Sequence, residues 1–114
     1  MDHHTVIPQD QLNKLIINLL NRIAEKGVAI DSAYLYGSYA HGAPSWESDI
    51  DVAIVSSDLS GFRPDDYARL NVIASKLDAR FEVIGFRPEQ FVEELPLVGE
   101  ILRSGIPLAV PEPV

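Results

Sequence analysis

Two aspartates one residue apart, Asp49 and Asp51, stand at the head of the apolar run "IDVAIV". Upstream, the run "SAYLY" ends at Gly37-Ser38, and ten residues separate Ser38 from Asp49. In an extended chain successive side chains point to opposite faces, so Asp49 and Asp51 share one side while Ile50, Val52 and Ile54 take the other. Two ionised carboxylates this close repel, and their pKa values split unless a cation lies between them. Mg²⁺ resolves that conflict, because it takes a few carboxylate oxygens and completes its shell with water and phosphate oxygens. Gly37 lets backbone amides approach an anion with no Cβ in the way, and the Ser38 hydroxyl can add a hydrogen bond to a phosphate oxygen. Carboxylates for a metal beside amides for a phosphate suit phosphoryl or nucleotidyl transfer.

Taken singly, each half has an ordinary reading: Gly-Ser after a strand is a turn, and a lone D-x-D is a solvated edge or a cap. The conjunction carries the weight, since a core-facing strand rarely tolerates two unpaired acids. Glycosyltransferases also place a D-x-D on a metal-bound nucleotide sugar, but they need a larger nucleotide-binding domain than 114 residues provide.

The elements that position these residues follow from periodicity. Leu12, Leu15, Ile16, Leu19, Leu20 and Ile23 recur at helical spacing between Gln9 and Lys26, and Gly27 supplies the stop. Ser32 to Tyr36 and Ser48 to Ser56 read as strands, the second more central because it is richer in β-branched residues. Pro64, Asp65 and Asp66 open a second helix continued by Tyr67, Leu70, Ile73, Ala74 and Leu77. Arg80 to Phe86 reads as a third strand. Pro88 opens a further helix that Pro96 interrupts or restarts, with Leu97, Val98, Ile101 and Leu102 on its apolar side. "IPLAV" is a short last strand placed at an edge by Pro107. Only about a dozen residues join the first two strands, too few for a long helical crossover, so the sheet should be mixed rather than fully parallel. The expected fold class is α/β (α+β), a small mixed sheet flanked by helices in one domain over 1–114, with flexible tails at 1–8 and 111–114.

A net charge of −8 leaves no excess of Lys and Arg for a nucleic-acid backbone or an anionic membrane, so any phosphate must be held locally. The absence of cysteine excludes disulfides, thiolate zinc sites and a Cys nucleophile. No basic segment followed by an apolar one opens the chain, and no apolar run is long enough to span a bilayer, so the cytoplasm is the expected compartment. His41 lies between the motif halves and His3 and His4 near the start, and none is assigned a role. Arg63, Arg69, Arg80 and Arg87 are candidates for a triphosphate clamp, and Trp46 is expected to pack beneath its loop rather than stack on a base.

The stretch "GSYAHGAPSWESDID", Gly37 to Asp51, resembles the G-S-x10-D-x-D signature of the minimal nucleotidyltransferases of the polymerase-β-like superfamily. The order of elements over most of the chain is similar to that fold. The resemblance implies Mg²⁺-dependent transfer of a nucleoside monophosphate, AMP from ATP or its equivalent from another NTP, to an acceptor hydroxyl. It implies two Mg²⁺ ions held by Asp49 and Asp51, with Gly37 and Ser38 on the β- and γ-phosphates. It also implies a third acid on a neighbouring strand, holding the catalytic metal and helping to deprotonate the acceptor. Glu82 fits, because alternation puts Glu82 and Ile84 opposite Phe81 and Val83. Aspartate is more usual there, so the glutamate departs from the pattern, and Asp78 at the predicted helix end is the fallback.

Two acceptor surfaces are implied: self-association into a homo-oligomer, or a separately encoded helical HEPN-type toxin that the chain adenylylates as its antitoxin. A non-catalytic antitoxin that masks its partner and a stand-alone small-molecule nucleotidyltransferase stay open as alternatives. The apolar stripes of the first helix and of Leu97 to Leu102 are candidate contact surfaces, though core burial explains both equally well.

Overall fold

In the computed structural model, which describes residues 6–112, alternation along the central strand decides the architecture. Strand β2 (Ile50–Val55) lies between β1 (Ser32–Tyr36), antiparallel to it, and β3 (Phe81–Phe86), parallel to it. The last strand, β4 (Ile106–Pro107), pairs antiparallel with β1, giving a mixed four-stranded sheet in the order β3-β2-β1-β4. Ile50, Val52 and Ile54 point to one face, where Phe81 and Val83 join them under α1 (Gln9–Glu25) and α2 (Arg63–Ser75). Ala53, Val55 and Phe86 point to the other face and form a smaller core with Val98 and Ile101 of α3 (Pro96–Ser104).

The first helix spends its apolar stripe inside: Leu12, Ile16, Leu19, Leu20 and Ile23 are all buried. That stripe is therefore core and not a free contact surface, and Val98 and Ile101 of α3 are buried as well. Two elements differ from the sequence reading. Pro88 starts only a single 3₁₀ turn, Pro88–Gln90, and a turn through Glu93 and Glu94, closed by the Leu95 amide on the Val92 carbonyl (3.1 Å), follows before Pro96 begins α3. A proline cannot donate to the preceding turn and pushes the residue before it out of the helical region, so Pro96 starts a helix and cannot continue one. The central strand also begins later than expected, at Ile50 rather than Ser48. Ser48 is held in a turn by its amide bond to the Ser45 carbonyl (3.0 Å) and its hydroxyl, which accepts from the Ser45 amide (2.8 Å).

Of the expected tails, residues 1–5 and 113–114 lie outside the described residues, as do His3 and His4. Within the described part Ile7 is buried, and its amide donates to the Tyr39 hydroxyl at 3.3 Å. Among the described residues no helix is long and apolar enough to cross a membrane.

Strand β3 is at the sheet's edge, and an edge leaves backbone donors and acceptors unpaired. Asn71 of α2 covers this one: its Nδ2 donates to the Val83 carbonyl (2.7 Å), and the Val83 amide donates to its Oδ1 (2.9 Å). One side-chain amide thereby stands in for a residue of a missing strand. Gly85 lets α2 approach so closely, since a Cβ there would sit 2.7 Å from Leu70 and 2.8 Å from Leu59. Replacing Asn71 by Ala should lower the unfolding free energy by about 1–3 kcal/mol, the scale of two lost hydrogen bonds at a part-buried site, read as a reduced urea midpoint with an unchanged slope. A wild-type midpoint in the variant would show that the Asn71 bracket adds nothing to stability.

Candidate functional site

At the end of β1 the chain turns sharply. Gly37 has φ +76°, a conformation glycine adopts without a steric penalty. Its carbonyl accepts from the amides of Ala40 and His41 (both 3.1 Å), and the Ser38 carbonyl accepts from Ala43 (3.1 Å), so residues 37–43 form a short helical turn. The amides of Ser38 and Tyr39 open that turn and have no acceptor within it. Tyr39 anchors the turn by burying its ring in the α1 side of the core.

The sheet register brings the carboxylates to this turn. Tyr36 is paired with Asp51 across β1–β2, and Asp51 with Glu82 across β2–β3, so the three side chains stand in a row about 4.8 Å apart on one face. Asp49 immediately precedes the strand and is exposed. Gly37 lies directly against Asp51: a Cβ on it would come within 3.2 Å of the Asp51 carboxyl carbon and closer still to its oxygen. The turn and the acid are thus in van der Waals contact across the ladder.

Electrostatics mark the same spot. Burial, with the charges of Asp49 and then Glu82, raises the Asp51 carboxyl from 3.8 to about 6. Burial raises Tyr36 far above its ordinary value, with Asp51 and Glu82 adding to the effect. Glu82 accepts a 2.5 Å hydrogen bond from the Tyr67 hydroxyl of α2. Among the described residues no three His, Cys, Asp or Glu form a self-sufficient metal cage. The donor set nonetheless suits Mg²⁺, which is ordinarily bound through one or two carboxylates and otherwise by water and phosphate oxygens. A carboxylate that resists ionisation in the bare protein is one that a cation would stabilise.

The structure brings together Gly37, Ser38, Asp49, Asp51 and Glu82. Asp78 is elsewhere: it forms a two-pronged ion pair with Arg80 (2.9 and 2.8 Å), which holds its carboxyl below the usual range. Of the four arginines, Arg80 is taken by that pair. Arg87 is bound to the carbonyls of Ser57 and Leu59 (2.7 and 2.8 Å) and to Glu89. Arg69 lies in a groove between α1 and α2 on the far side of the sheet, with Arg22, Lys26 and Lys76. Arg63 alone faces the carboxylate side, with its guanidinium carbon 4.8 Å from the centre of the Phe86 ring and its charge acting on Tyr36. His41 hydrogen-bonds Ser104 at the end of α3 (3.1 Å). Trp46, expected beneath its loop, is 52% exposed, since no helix or strand covers residues 43–49.

Two site residues escaped the sequence reading. Tyr67 was assigned to the apolar stripe of its helix, yet it is 45% exposed and turned toward β3. Its signal was the i, i+4 pair with Asn71, a polar line set off from Leu70, Ile73 and Ala74. Tyr36 carried no signal beyond its place before Gly37.

The family described as "Polymerase beta, Nucleotidyltransferase" matches residues 18–109. No curated protein matches the chain. Among solved structures, a toxin–antitoxin with AMP-PNP superposes with a TM-score of 0.60 at 24% identity, over 88% of this chain and 74% of that one. A mutant of the MntA-HpeT toxin–antitoxin gives 0.58 at 22%, over 88% and 74%. A candidate nucleotidyltransferase from Sulfolobus solfataricus gives 0.58 at 20%, over 87% and 80%. At such identities the likeness is one of fold.

The raised Asp51 value fixes the sign of a pH effect. Its folded pKa of about 6 lies above the unfolded 3.8, so its contribution to stability is fully present below pH 3.8 and is lost as pH rises through 6. In chelator, the wild type should therefore lose melting temperature relative to Asp51→Asn between pH 4 and 7, and Mg²⁺ at pH 7 should restore part of it. Parallel melting-temperature profiles for the two proteins would remove the electrostatic argument. Gly37→Ala should lose both stability, by about 1–3 kcal/mol from strain and overlap, and nucleotide affinity measured by calorimetry.

Proposed function

Because the chain belongs to the polymerase beta nucleotidyltransferase family, we propose that it transfers a nucleoside monophosphate, AMP from ATP, to a hydroxyl of a separately encoded HEPN-type toxin and so acts as an antitoxin. The observation that carries this reading is the contact between Gly37 and Asp51, with Glu82 one strand further along the same face. It puts an anion-receiving turn and an acid cluster at one point, where a nucleotide's phosphates and their cation must meet.

The roles divide by chemistry. The amides of Ser38 and Tyr39 and the Ser38 hydroxyl receive the β- and γ-phosphates, which Gly37 can admit because it carries no Cβ. Arg63 adds a positive charge at the rim. Asp49, Asp51 and Glu82 would hold Mg²⁺, two ions on this reading, which would supply positive charge to offset that developing on the phosphates. Glu82 is the base that takes the proton of the acceptor hydroxyl. Asp51, half-buried and bordered by Tyr36, is kept from bulk water on one side. The acceptor hydroxyl is supplied by the partner protein. The toxin–antitoxin fold neighbours support a protein acceptor over a small molecule or a second copy of this chain.

Incubation with α-phosphate-labelled ATP, Mg²⁺ and the protein encoded next to it should move label onto that partner. Asp49→Asn and Asp51→Asn should abolish the transfer, and Glu82→Gln should slow it by about 10²–10⁴-fold, with circular dichroism unchanged in all three. A tight complex without any label transfer would replace this reading with a masking antitoxin, and unchanged rates in the variants would refute the site.

A further inference from the structure

The hydroxyl of Tyr67 lies directly against Glu82 of the acid cluster. Its only hydrogen bond among the described residues is to Glu82 Oε2, at 2.5 Å. Glu82 is in register with Asp51, and its hydrogen bond first, with the charge of Asp49 adding, keeps the Tyr67 hydroxyl protonated above its ordinary range, so its proton must be taken up as the oxygen reacts. A nucleophile within hydrogen-bond reach of its base is the signature of an activated acceptor. The placement is also enforced. Asn71, one helical turn on, clamps both backbone groups of Val83, and so fixes the face of α2 that carries Tyr67 against the strand that carries Glu82. A tyrosine serving only as packing would be buried, whereas this one is 45% exposed beside Glu82.

We propose that Tyr67 is a self-modification site, accepting a nucleoside monophosphate from the chain's own NTP. The proposal rests on the nucleotidyltransferase reading of the same carboxylates. Tyr67 Oη bonds to the α-phosphorus, the bond from that phosphorus to the bridging oxygen breaks, pyrophosphate departs, and the tyrosine proton passes to Glu82. The product is a tyrosyl phosphodiester, which adds one negative charge beside Asp49, Asp51 and Glu82 in a chain of net charge −8. It also removes the hydroxyl that Glu82 held. A modified chain therefore repels the next triphosphate and fills its own acceptor position, so self-modification acts as a brake when no external acceptor competes.

The test is incubation of the full chain with Mg²⁺ and each common NTP, labelled at the α-phosphate, with and without the neighbouring partner protein, followed by peptide mass mapping. The expected result is one added nucleoside monophosphate on Tyr67, reduced when the partner is present, and none in Tyr67→Phe or Asp51→Asn. Wild-type mapping decides the site even if Tyr67→Phe folds poorly. Label on the partner with Tyr67 unmodified would overturn the self-modification and leave the transferase reading standing, and so would label on a different residue of this chain. Label on neither protein would overturn both.

Discussion

Repulsion among carboxylates that the sheet forces together is the constraint on which the rest of the structure depends. Asp51 cannot move away from Glu82, because each is fixed by a parallel ladder whose next positions are the buried pair Val52 and Val83. A slip of one residue would relieve the acids, but it would also turn Ile50, Val52 and Ile54 out of the core, and all three are completely buried. The hydrophobic face therefore holds the polar face in a conformation it would not choose. The same logic explains Gly37: with the register fixed, the residue after β1 has to pass the Asp51 carboxyl, and only a side chain of one hydrogen fits.

Support for the strained edge comes from polar groups as much as from the core. Asn71 completes the outer side of β3. Asp66, only 2% exposed, accepts from the Ser60 amide and hydroxyl and from the Gly61 amide, all at 2.9 Å, and so fixes the loop entering α2. Arg87 and Gln90 bind carbonyls of the same loop from the other side. Each group is satisfied, so burial carries little penalty. Together they fix the N-terminal half of α2, the segment bearing Arg63 and Tyr67, relative to Glu82 and Phe86.

Much of this was legible in the sequence because it follows from short-range rules. Period-two alternation assigned Asp49 and Asp51 to one side and Ile50, Val52 and Ile54 to the other, and it separated Glu82 from Phe81 and Val83. The short link between the first two strands favoured a mixed over an all-parallel sheet, and the sheet is mixed. What could not be read depends on which distant segments meet. Pro88 has a helix starter's chemistry, but whether it starts nine residues or three depends on Pro96 and on where Phe91 packs, and Phe91 stacks on Tyr34 at 5.4 Å. Tyr67 looked like a core residue because an aromatic at helical spacing usually is one. Its partner Glu82 lies 15 residues away on another element, so no local pattern links them. The arginines were equally ambiguous until their carbonyl and carboxylate partners were fixed.

The final distribution of positive charge bears on how the proposed triphosphate substrate is held. The chain has nine Lys and Arg against 17 Asp and Glu. Four of the nine line the α1–α2 groove on the far face, and Arg80 and Arg87 are committed to Asp78 and to loop carbonyls. Of the remaining three, Lys14, Arg63 and Arg103, it is Arg63 whose charge acts on Tyr36 beside the acids, and its guanidinium already lies over the Phe86 ring. A polyanion approaching Asp49, Asp51 and Glu82 therefore meets net repulsion from side chains. On the proposed reading two contributions reverse the sign: divalent cations brought with the nucleotide, and the partial positive charge of the Ser38 and Tyr39 amides that open the turn. The second acts at short range and needs the close approach that Gly37 permits. On the proposed reading, phosphate selectivity is thus a property of backbone geometry, with the carboxylates setting the requirement for a cation.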